Sequence, residues 1–446
     1  MNYFRENFGG LTLSQYLVIN GEKKLRGEVV IGGAKNAVLK LMAAALLVDG
    51  TSILHNVPEL TDVETMAEVL RYTGAKVTWN KLERSIEIDA STVNNTTAPY
   101  DLVSKMRGSF IVAGALLSRF GEAKVALPGG CAIGERRVDY HLKGFRALGA
   151  EATIDNGYVN VKATRLHGAN ICLDKPSVGA TENLMLAAVL AEDSTCIKNA
   201  AQEPEIVDLA NFLNLMGADI SGAGTSEIII NGVNKSDLRS VTYTTMPDRI
   251  EAGTYMTAIV ATRGRAVIRN VFPSHLTFVT NKLIEMGANI ALVEPFTLEV
   301  SMNRRPNAIN IVTQPYPGFP TDMQSQFLSA LATAQGVSVV TENLYENRFM
   351  QISELTRMGA DVRQEGKSAI INGVESLQGT SLKASDLRAG GSLIVAALCA
   401  QGQSAIENVY HIDRGYEKLI EKFSKLGADI KRVGEITTNE LAQSNL

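Results

Sequence analysis

Six segments of the chain place apolar residues along one face of a helix, and a Gly-Ala pair ends each segment. In the third segment Leu209, Phe212, Leu213 and Met216 stand at positions i, i+3, i+4 and i+7, which gives a single apolar stripe. A glycine after the last helical residue commonly takes the left-handed conformation of a C-cap. The pattern predicts six surface helices, each followed by a strand, with Gly-Ala pairs beginning at 74, 149, 217, 287, 359 and 427.

A second set of segments is apolar on nearly every side, as is typical of helices inside a domain. These short helices are predicted at 39–48, 110–117, 184–191, 255–261, 327–334 and 393–400. A β-prone run follows each of them, and strands are predicted at 51–57, 124–128, 195–200, 265–271, 337–343 and 404–409. Because the Gly-Ala pairs recur at intervals of 68 to 75 residues, the chain is built of six similar units.

A unit of this size cannot shield its own buried helix from water. Three units can surround three buried helices with their sheets facing outward, so six units form two lobes. Solenoid repeats are shorter and stack in one dimension, which fits this pattern less well. We therefore predict an α/β fold of two lobes with three units each, and a ligand cleft between the lobes.

Composition narrows the class of protein further. The 446 residues would suggest about three domains by length alone, and their 45% hydrophobic and 20% charged content excludes a disordered or fibrous chain. The net charge of -4 gives no general attraction to nucleic acid or to an anionic membrane. The first sixteen residues lack the sequence features of a signal peptide, and no apolar stretch has the composition of a membrane-spanning helix. The four cysteines are neither paired nor dense, so a reducing cytoplasm is the expected location.

Cations stand at or near the start of most of the buried helices, where they oppose the helix dipole. Lys35 belongs to such a start, and Arg107, Lys175, Arg249 and Arg388 stand near four others. Each cation in a first helical turn costs up to about 1 kcal/mol. An anionic ligand between the helix starts would explain this recurrence, and so would structural ion pairs. The residues alone leave both explanations open.

Two residues are candidates for proton transfer. Cys131 lies in a glycine-rich segment that ends in Arg136 and Arg137, and flexibility with nearby cations favours a reactive thiolate. Asp322 precedes a buried helix in the predicted cleft, where it serves either as a general base or as an ordinary N-cap. Three other cysteines have surroundings that favour inert packing: Cys172, Cys196 and Cys399.

Familiar cofactor signals are missing from the sequence. No GxxxxGK[ST] loop precedes a helix, and no GxGxxG stands between a strand and a helix. None of the five histidines has partners at metal-ligand spacing, so His141 and His411 are interpreted as hydrogen-bonding residues at helix ends. We therefore expect neither a cofactor nor a metal ion.

Nine motifs taken together resemble the UDP-N-acetylglucosamine 1-carboxyvinyltransferases, a family of enolpyruvyl transferases. The resemblance covers about 17–433, and its motifs are GGAKNA at 32–37, PGGCAIGER at 128–136, SVGATEN at 177–183, EPEIVD at 203–208, DRIEAGT at 248–254, FPTDMQ at 319–324, ENRFM at 346–350, DLRAG at 386–390 and HIDRGYE at 411–417. Residues 1–16 extend beyond the family's usual start, and Arg137 stands where the family commonly has proline.

The resemblance implies a fold of two inside-out α/β lobes with three repeats each. One lobe would hold 1–34 and 247–446, and the other would hold 35–246 with the Cys131 segment. It also implies the reaction, in which the enolpyruvyl group of phosphoenolpyruvate passes to the 3-hydroxyl of UDP-N-acetylglucosamine and phosphate is released. In the family this reaction is the first committed step of peptidoglycan precursor synthesis.

The resemblance further assigns roles to residues. Phosphoenolpyruvate would be held by Lys35, Arg107 and Arg414, while Asn36 would bond to the sugar. Asp322 would take the proton of the 3-hydroxyl, and Cys131 would deliver a proton to C3 or assist product release. The nucleotide would be held by Arg136, Arg137, Val138, Asp139, Tyr140, Lys175, Ser177, Val178, Gly179 and Leu344. The cleft would be completed by Arg348, Asp386 and Arg388.

Two rival functions share this fold. A 3-phosphoshikimate 1-carboxyvinyltransferase would use the same donor, but the Cys131 segment and SVGATEN at 177–183 argue against it. The other rival function is a non-catalytic sugar-nucleotide sensor. The proton-transfer groups argue against it, because a sensor would need none of them.

Overall fold

The computed structural model describes residues 15–128 and 138–434 and contains six sheets of four strands each. Every sheet has the same order, in which an edge strand pairs in parallel with a second strand and the next two strands pair antiparallel. We number the sheets by the position of their second strand along the chain. The first sheet is Thr242–Thr244, Thr51–His55, Ser85–Asp89 and Lys76–Asn80; the second is Thr97–Ala98, Glu122–Ala126, Tyr158–Lys162 and Glu151–Asp155; the third is Asn170–Cys172, Ser194–Lys198, Glu227–Asn231 and Asp219–Ser221. The fourth is Arg26–Val30, Arg265–Arg269, Thr297–Ser301 and Asn289–Glu294; the fifth is Ile311–Val312, Val337–Thr341, Ser368–Asn372 and Asp361–Glu365; the sixth is Ser381–Lys383, Gln403–Glu407, Tyr16–Asn20 and Asp429–Val433.

A buried helix precedes the second strand of every sheet. These helices are Lys35–Ala44, Val112–Phe120, Val178–Ala188, Arg249–Ala261, Gln324–Leu331 and Leu387–Cys399. In Arg249–Ala261 all thirteen residues are buried, because the helix lies inside its lobe rather than on it. Short 3-10 helices at Arg107–Ile111 and Thr321–Met323 lead into two of the six.

Five of the six buried helices begin earlier than the sequence predicted, and the second begins at Val112 rather than at 110. The fourth starts at Arg249 rather than at 255, and the first starts at Lys35 rather than at 39. The prediction was wrong here because it required apolar residues, whereas the first turns carry charged residues that face other parts of the protein. Lys35, Arg249 and Arg388 are thus part of the helices and Arg107 of a 3-10 turn, whereas Lys175 stays outside, before helix Val178–Ala188.

The surface helices end as the sequence predicted. They are Thr61–Tyr72, Asp139–Ala147, Pro204–Met216, Thr277–Glu285, Ile352–Arg357 and Leu419–Lys425. The glycine of each Gly-Ala pair has a positive φ, between 81° at Gly427 and 114° at Gly217. Glycine takes this left-handed conformation without the steric cost that a Cβ atom adds. Two further short helices lie at Tyr100–Val103 and Tyr410–Asp413.

Two large hydrophobic cores divide the protein. One gathers buried residues from Val38 to Ile230, and the other gathers Leu17 to Ile31 together with Ile250 to Ile430. Strand Tyr16–Asn20 lies inside the sixth sheet and strand Arg26–Val30 edges the fourth, while Thr242–Thr244 edges the first sheet. The chain therefore passes between the two cores in segments near 31–35 and 244–249, although the boundaries at 34/35 and 246/247 stay a prediction.

None of the helices in the part of the chain that the structure describes is long and apolar enough to cross a lipid bilayer.

Candidate active site

A buried carboxylate joins two cations where the two cores meet. Lys35 opens a helix of one lobe, and its Nζ lies 2.6 Å from Oδ2 of Asp62. Arg414 approaches the same carboxylate from the other lobe, with Nε at 2.8 Å from Oδ1 and a second nitrogen at 3.3 Å from Oδ2. Asp62 is only 2% exposed. We call Lys35, Asp62 and Arg414 the first cluster.

Charge balance within the first cluster sets the protonation of its members. Burial would raise the pKa of the Asp62 carboxyl, but Lys35 and Arg414 outweigh burial and hold that pKa below its ordinary value. Burial lowers the pKa of the Lys35 ammonium, Asp62 counteracts that shift, and Arg414 and Arg388 add to it. Asp62 therefore opposes the effect of burial on the lysine charge.

Asp322 forms a second cluster with two arginines. Its Oδ1 accepts a hydrogen bond of 2.5 Å from Arg348, and its Oδ2 accepts one of 3.0 Å from Arg388. Arg348 and Arg388 are 4% and 5% exposed. Burial would raise the pKa of the Asp322 carboxyl, yet the two guanidinium groups hold it far below the ordinary range. The two clusters adjoin, since Arg388 also acts on the charge of Lys35.

Helix starts bring the clusters into place. Asp248 caps helix Arg249–Ala261 by accepting hydrogen bonds from the amides of Ile250 and Glu251, at 2.8 and 3.0 Å. Its other oxygen accepts a 3.1 Å hydrogen bond from the backbone amide of Lys35. One N-cap therefore fixes the starts of two buried helices side by side.

Asp386 is also an N-cap. It accepts hydrogen bonds from the amides of Arg388 and Ala389, at 2.8 and 3.1 Å. It thereby holds the first turn of helix Leu387–Cys399, from which the Arg388 side chain reaches Asp322. The structure places Asp386 as the support of Arg388.

Seven of the predicted nucleotide-binding residues lie at the starts of helices Asp139–Ala147 and Val178–Ala188, whereas Leu344 lies after strand Val337–Thr341. Val138 is buried just before helix Asp139–Ala147, whereas Asp139 is exposed and Tyr140 is half-buried. Ser177 caps helix Val178–Ala188 through a 3.4 Å bond from the amide of Ala180, and Lys175 is exposed just before it. Leu344 is 36% exposed.

Arg107 and Gly179 both lie near His141. Burial lowers the pKa of that imidazole and the charge of Arg107 lowers it further, to about 3. A Cβ atom added at Gly179 would lie 3.5 Å from the His141 ring. The ring nitrogen Nδ1 is 3.0 Å from the side-chain amide of Asn183, so His141 is a neutral hydrogen-bonding residue, as the sequence indicated.

Three predicted site residues lie outside the described residues: Cys131, Arg136 and Arg137. Asn36 is half-buried in the first turn of its helix, and its carbonyl accepts a hydrogen bond from Lys40.

The expectation of inert packing is wrong for one cysteine. Cys172 is exposed, because strand Asn170–Cys172 alternates and turns Ile171 toward the core. Burial raises the pKa of the Cys399 thiol to about 12, which makes that cysteine unreactive.

Sequence reasoning missed the residues that join the lobes. Asp62 was not singled out, because its partners are distant in the sequence and its own neighbourhood resembles an ordinary helix start. The buried pair of Arg249 and Glu205, at 3.1 Å, was missed for the same reason. Motifs EPEIVD at 203–208 and DRIEAGT at 248–254 contained the signal, since each carries a charge at the start of an apolar helix.

The structure gives the cations carboxylate partners. Lys35, Arg414, Arg348, Arg388 and Arg249 each contact Asp or Glu, as the ion-pair explanation requires. Asp62 and Asp322 nevertheless each contact two cations, so positive charge is in excess in both clusters. Such excess suits an anion that competes with the carboxylate for its cations. Within 15–128 and 138–434, no set of three or more His, Cys, Asp or Glu is grouped as a metal site requires.

Comparison with known proteins identifies the kind of fold and its relatives. The family model described as EPSP synthase (3-phosphoshikimate 1-carboxyvinyltransferase) matches residues 19–423. The enolpyruvyl transferase NikO from Streptomyces tendae superposes with a TM-score of 0.85 at 25% identity, over 95% of this chain and 100% of that one. An EPSP synthase from Acinetobacter baumannii superposes with a TM-score of 0.72 at 19% identity, over 94% and 100%. These structures confirm the predicted fold class.

Curated relatives are more similar in sequence. UDP-N-acetylglucosamine 1-carboxyvinyltransferase 2 from Carboxydothermus hydrogenoformans is 54% identical over 94% of this chain and 99% of its own length. UDP-N-acetylglucosamine 1-carboxyvinyltransferase from Coxiella burnetii is 50% identical over 94% of this chain and 96% of its own length.

Proposed function

The chain belongs to the UDP-N-acetylglucosamine 1-carboxyvinyltransferases within the EPSP synthase family, and we propose that it transfers the enolpyruvyl group of phosphoenolpyruvate to the 3-hydroxyl of UDP-N-acetylglucosamine. Phosphate is the second product. The observation that carries the proposal is 54% identity over 94% of the chain to a relative of that name. The geometry adds two clusters of excess positive charge at the meeting of the lobes, which suits a donor with a phosphate and a carboxylate.

The first cluster receives the phosphate of phosphoenolpyruvate in this proposal. Lys35 and Arg414 both donate to Asp62, and a phosphate dianion competes for the same donors. With Arg107 from the neighbouring 3-10 helix, they stabilise the charge that grows on phosphate as it leaves. Asp62 remains beside them as the counterion that raises the pKa of Lys35 against the effect of burial.

The second cluster receives the carboxylate of phosphoenolpyruvate. Arg348 and Arg388 present guanidinium groups to Asp322, and a substrate carboxylate fits the same donors. The pKa of Asp322 is too low for an effective base while both arginines hold it. When substrate takes over part of this contact, the pKa of Asp322 rises toward its ordinary value. Donor binding thus prepares the base.

The reaction is an addition followed by an elimination. Asp322 takes the proton of the sugar 3-hydroxyl as its oxygen bonds to C2 of phosphoenolpyruvate, and Cys131 gives a proton to C3. The tetrahedral intermediate then loses phosphate from C2 and a proton from C3, which restores the double bond as a vinyl ether. Asn36 orients the sugar from the helix turn that also carries Lys35.

The nucleotide lies along the starts of helices Asp139–Ala147 and Val178–Ala188 in this proposal. The residues assigned to it are Arg136, Arg137, Val138, Asp139, Tyr140, Lys175, Ser177, Val178, Gly179 and Leu344. A helix start offers free backbone amides to a diphosphate, and Lys175 adds a positive charge. We also assign the enzyme to the cytoplasm and to peptidoglycan precursor synthesis, where its nucleotide substrate would be used.

A phosphate-release assay tests the proposal against both rivals. Phosphoenolpyruvate is supplied with either UDP-N-acetylglucosamine or shikimate 3-phosphate. We expect release with the sugar nucleotide alone. Release with shikimate 3-phosphate alone would instead assign the 3-phosphoshikimate reaction, and sugar-nucleotide binding without release under either condition would assign the sensor.

A further inference from the structure

A cavity of about 600 Å³ opens on the fourth sheet, and its described walls include none of the residues of the two charge clusters. Arg26 and Arg265 line it, and they are direct partners on the first two strands of that sheet. Arg265 lies just after helix Arg249–Ala261, whose start is held beside Lys35 by Asp248. The helix has thirteen residues and therefore a length of about 20 Å, which separates the cavity from the proposed active site.

The cavity walls carry positive charge and, among the described lining residues, no Asp or Glu. Four of the lining residues are cations: Lys24, Arg26, Arg263 and Arg265. Arg265 donates to Glu299 at 3.0 Å, whereas no hydrogen bond or ion pair joins the side chains of the other three to any residue that the structure describes. Arg304 lies at the margin, since a Cβ atom at lining residue Gly287 would be 2.8 Å from its guanidinium group.

The carboxylates of the same sheet do not balance these charges. The strands of the fourth sheet hold three glutamates, of which Glu28 and Glu294 both pair with Arg269 at the far end of the second strand. The third is Glu299, the partner of Arg265. The other lining cations therefore keep an unbalanced charge at the open cavity.

Two features hold these cations together at a cost in free energy. The side chains of Arg26 and Arg265 are both exposed, and the register sets them side by side, so that like charges repel. Arg263 has a φ of 56°, in the left-handed region that residues with a Cβ atom disfavour. The dipole of helix Arg249–Ala261 favours a cation near its C-terminal end, but a single cation satisfies it. A bound anion would account for the whole group, and strained backbone is often kept at binding sites.

The rest of the wall offers hydrogen-bond donors rather than an apolar surface. Ser301 and Asn289 continue the row of Arg265 across the third and fourth strands, and Asn303 lies two residues beyond Ser301. Met302 also lines the cavity but is only 4% exposed. The described lining residues include no aromatic ring, so these walls give a nucleobase no surface on which to stack. The cavity therefore suits anionic oxygens.

We propose that this cavity binds a linear oligophosphate, a chain of three or more linked phosphates, at a site separate from the reaction. Each phosphate brings negative charge and acceptor oxygens, and a chain contacts Lys24, Arg26 and Arg263 together. A single phosphate reaches fewer of these cations, so the cavity favours the chain. An inorganic oligophosphate and the tail of a nucleoside triphosphate share this chemistry, and the experiment separates the two sources.

Titration calorimetry with inorganic tripolyphosphate in magnesium-free buffer tests this site on the full-length protein. Saturating UDP-N-acetylglucosamine occupies the proposed nucleotide site during the titration. We expect saturable binding of tripolyphosphate at one site, at least about tenfold tighter than the binding of inorganic monophosphate.

Adenosine triphosphate and adenosine monophosphate distinguish the sources of the chain. Adenosine triphosphate that binds as tightly as tripolyphosphate supports the site and assigns it to a nucleotide tail. Weaker binding of adenosine triphosphate than of tripolyphosphate supports the site and assigns it to an inorganic chain. Adenosine monophosphate should bind more weakly than either, because it lacks the linked phosphates.

Variants locate the site. Arg26→Gln should weaken tripolyphosphate at least about tenfold. Arg269→Gln is the matched control, since it removes the same charge from the same sheet but from an arginine that Glu28 and Glu294 already balance. It should leave the affinity close to that of the wild type. Arg414→Gln, in the first cluster, should also leave it unchanged.

Arg263→Gly separates binding from stability. Glycine adopts the left-handed conformation without the cost of a Cβ atom, so the urea midpoint of unfolding should stay the same or rise. Tripolyphosphate should nevertheless bind more weakly, because one of its cations is lost. A lower urea midpoint with wild-type affinity would show that Arg263 has only a structural role and would contradict the proposal.

Three further results would overturn the proposal. The first is the absence of saturable tripolyphosphate binding. The second is equal affinity for tripolyphosphate and monophosphate, or for adenosine triphosphate and adenosine monophosphate. The third is wild-type affinity in Arg26→Gln together with a loss in Arg414→Gln, which would place the anion in the active site. Since none of these measurements needs turnover, their outcome is independent of the proposed enolpyruvyl transfer.

Discussion

Asp62 and Asp322 are carboxylates that each contact two cations, yet they suit different tasks. Each is held by two cations, and in each the cations outweigh burial and depress the pKa. Asp62 is contacted by a lysine whose own pKa is lowered by burial, so it acts on the charge of that lysine. Asp322 is held by arginines, which stay charged at any working pH. It therefore regains basicity only when a ligand takes the arginines from it.

Removing the Asp62 charge should change the pH dependence of the enzyme. Asp62→Asn deletes the group that raises the pKa of Lys35, so that pKa falls further and Lys35 loses its proton at a lower pH. The basic limb of the kcat/KM profile for phosphate release should move to lower pH, with a loss of at least about tenfold at pH 8.

The matched control for this change is Asp89→Asn, since Asp89 lies on the same lobe at the half-buried end of strand Ser85–Asp89, away from the first cluster. It should keep the wild-type profile. An unshifted basic limb in Asp62→Asn would show that Asp62 does not govern the charge of Lys35.

Removing the Asp322 carboxylate should stop the reaction without preventing nucleotide binding. Asp322→Ala leaves no acceptor for the 3-hydroxyl proton, so phosphate release should fall by about 100-fold or more. Binding of UDP-N-acetylglucosamine should remain measurable by calorimetry. Turnover near the wild-type rate would refute the assignment of the base.

The thiol of Cys131 can be tested chemically. Because the PGGCAIGER motif resembles that of the family, fosfomycin should alkylate Cys131 when the sugar nucleotide is present. Intact-mass spectrometry should show one adduct on the wild type and none on Cys131→Ser. Exposed Cys172 is an internal control, and an adduct that maps to it, or an unmodified wild type, contradicts the prediction.

At the scale of elements, the Gly-Ala spacing predicted every surface helix end. This succeeded because a C-cap glycine is a local requirement, set by the backbone angle at one residue. The starts of the buried helices were misjudged, because Lys35, Arg249 and Arg388 are polar and the prediction relied on apolar runs. Their charged first turns are explained only by partners from distant parts of the chain.

The C-cap requirement can be measured by adding one methyl group. Gly149 and Gly217 lie on the same lobe with φ of 90° and 114°. A Cβ at Gly149 would lie 3.3 Å from the His167 side chain, whereas one at Gly217 would lie 2.4 Å from the Asp237 carbonyl. Gly149→Ala should lower the free energy of unfolding by about 1–2 kcal/mol from backbone strain alone.

Gly217→Ala should lower the free energy of unfolding more than Gly149→Ala does, because the backbone carbonyl of Asp237 must move as well. Urea unfolding followed by circular dichroism measures both losses. Equal losses in the two variants would mean that the contact at Asp237 relaxes without cost.

At the scale of the molecule, the six units and their grouping into two lobes were predictable, but the strands that pair with sheets far away in the sequence were not. The sixth sheet takes strand Tyr16–Asn20 from the beginning of the chain, and the first sheet takes Thr242–Thr244 from its middle. No local pattern marks such exchanges, because pairing partners are chosen by the closure of each lobe. Buried ion pairs then join the lobes: Arg414 with Asp62, and Arg249 with Glu205.

The buried pair between lobes should be important for stability. Glu205→Gln leaves the buried Arg249 without its counterion, and should lower the free energy of unfolding by about 3–5 kcal/mol. Glu299→Gln is the control, because its partner Arg265 is largely exposed, and should cost less than about 1 kcal/mol. Similar small losses in both variants would show that the lobes do not depend on this pair.

The central claim is that the charge clusters between the lobes support enolpyruvyl transfer to a sugar nucleotide. Mass spectrometry of the products formed from phosphoenolpyruvate and UDP-N-acetylglucosamine tests it most directly. Enolpyruvyl transfer gives a sugar nucleotide heavier by one enolpyruvyl group, formed together with an equal amount of phosphate by the wild type and lost in Asp322→Ala. An unchanged sugar nucleotide after incubation with folded wild-type protein would refute the claim.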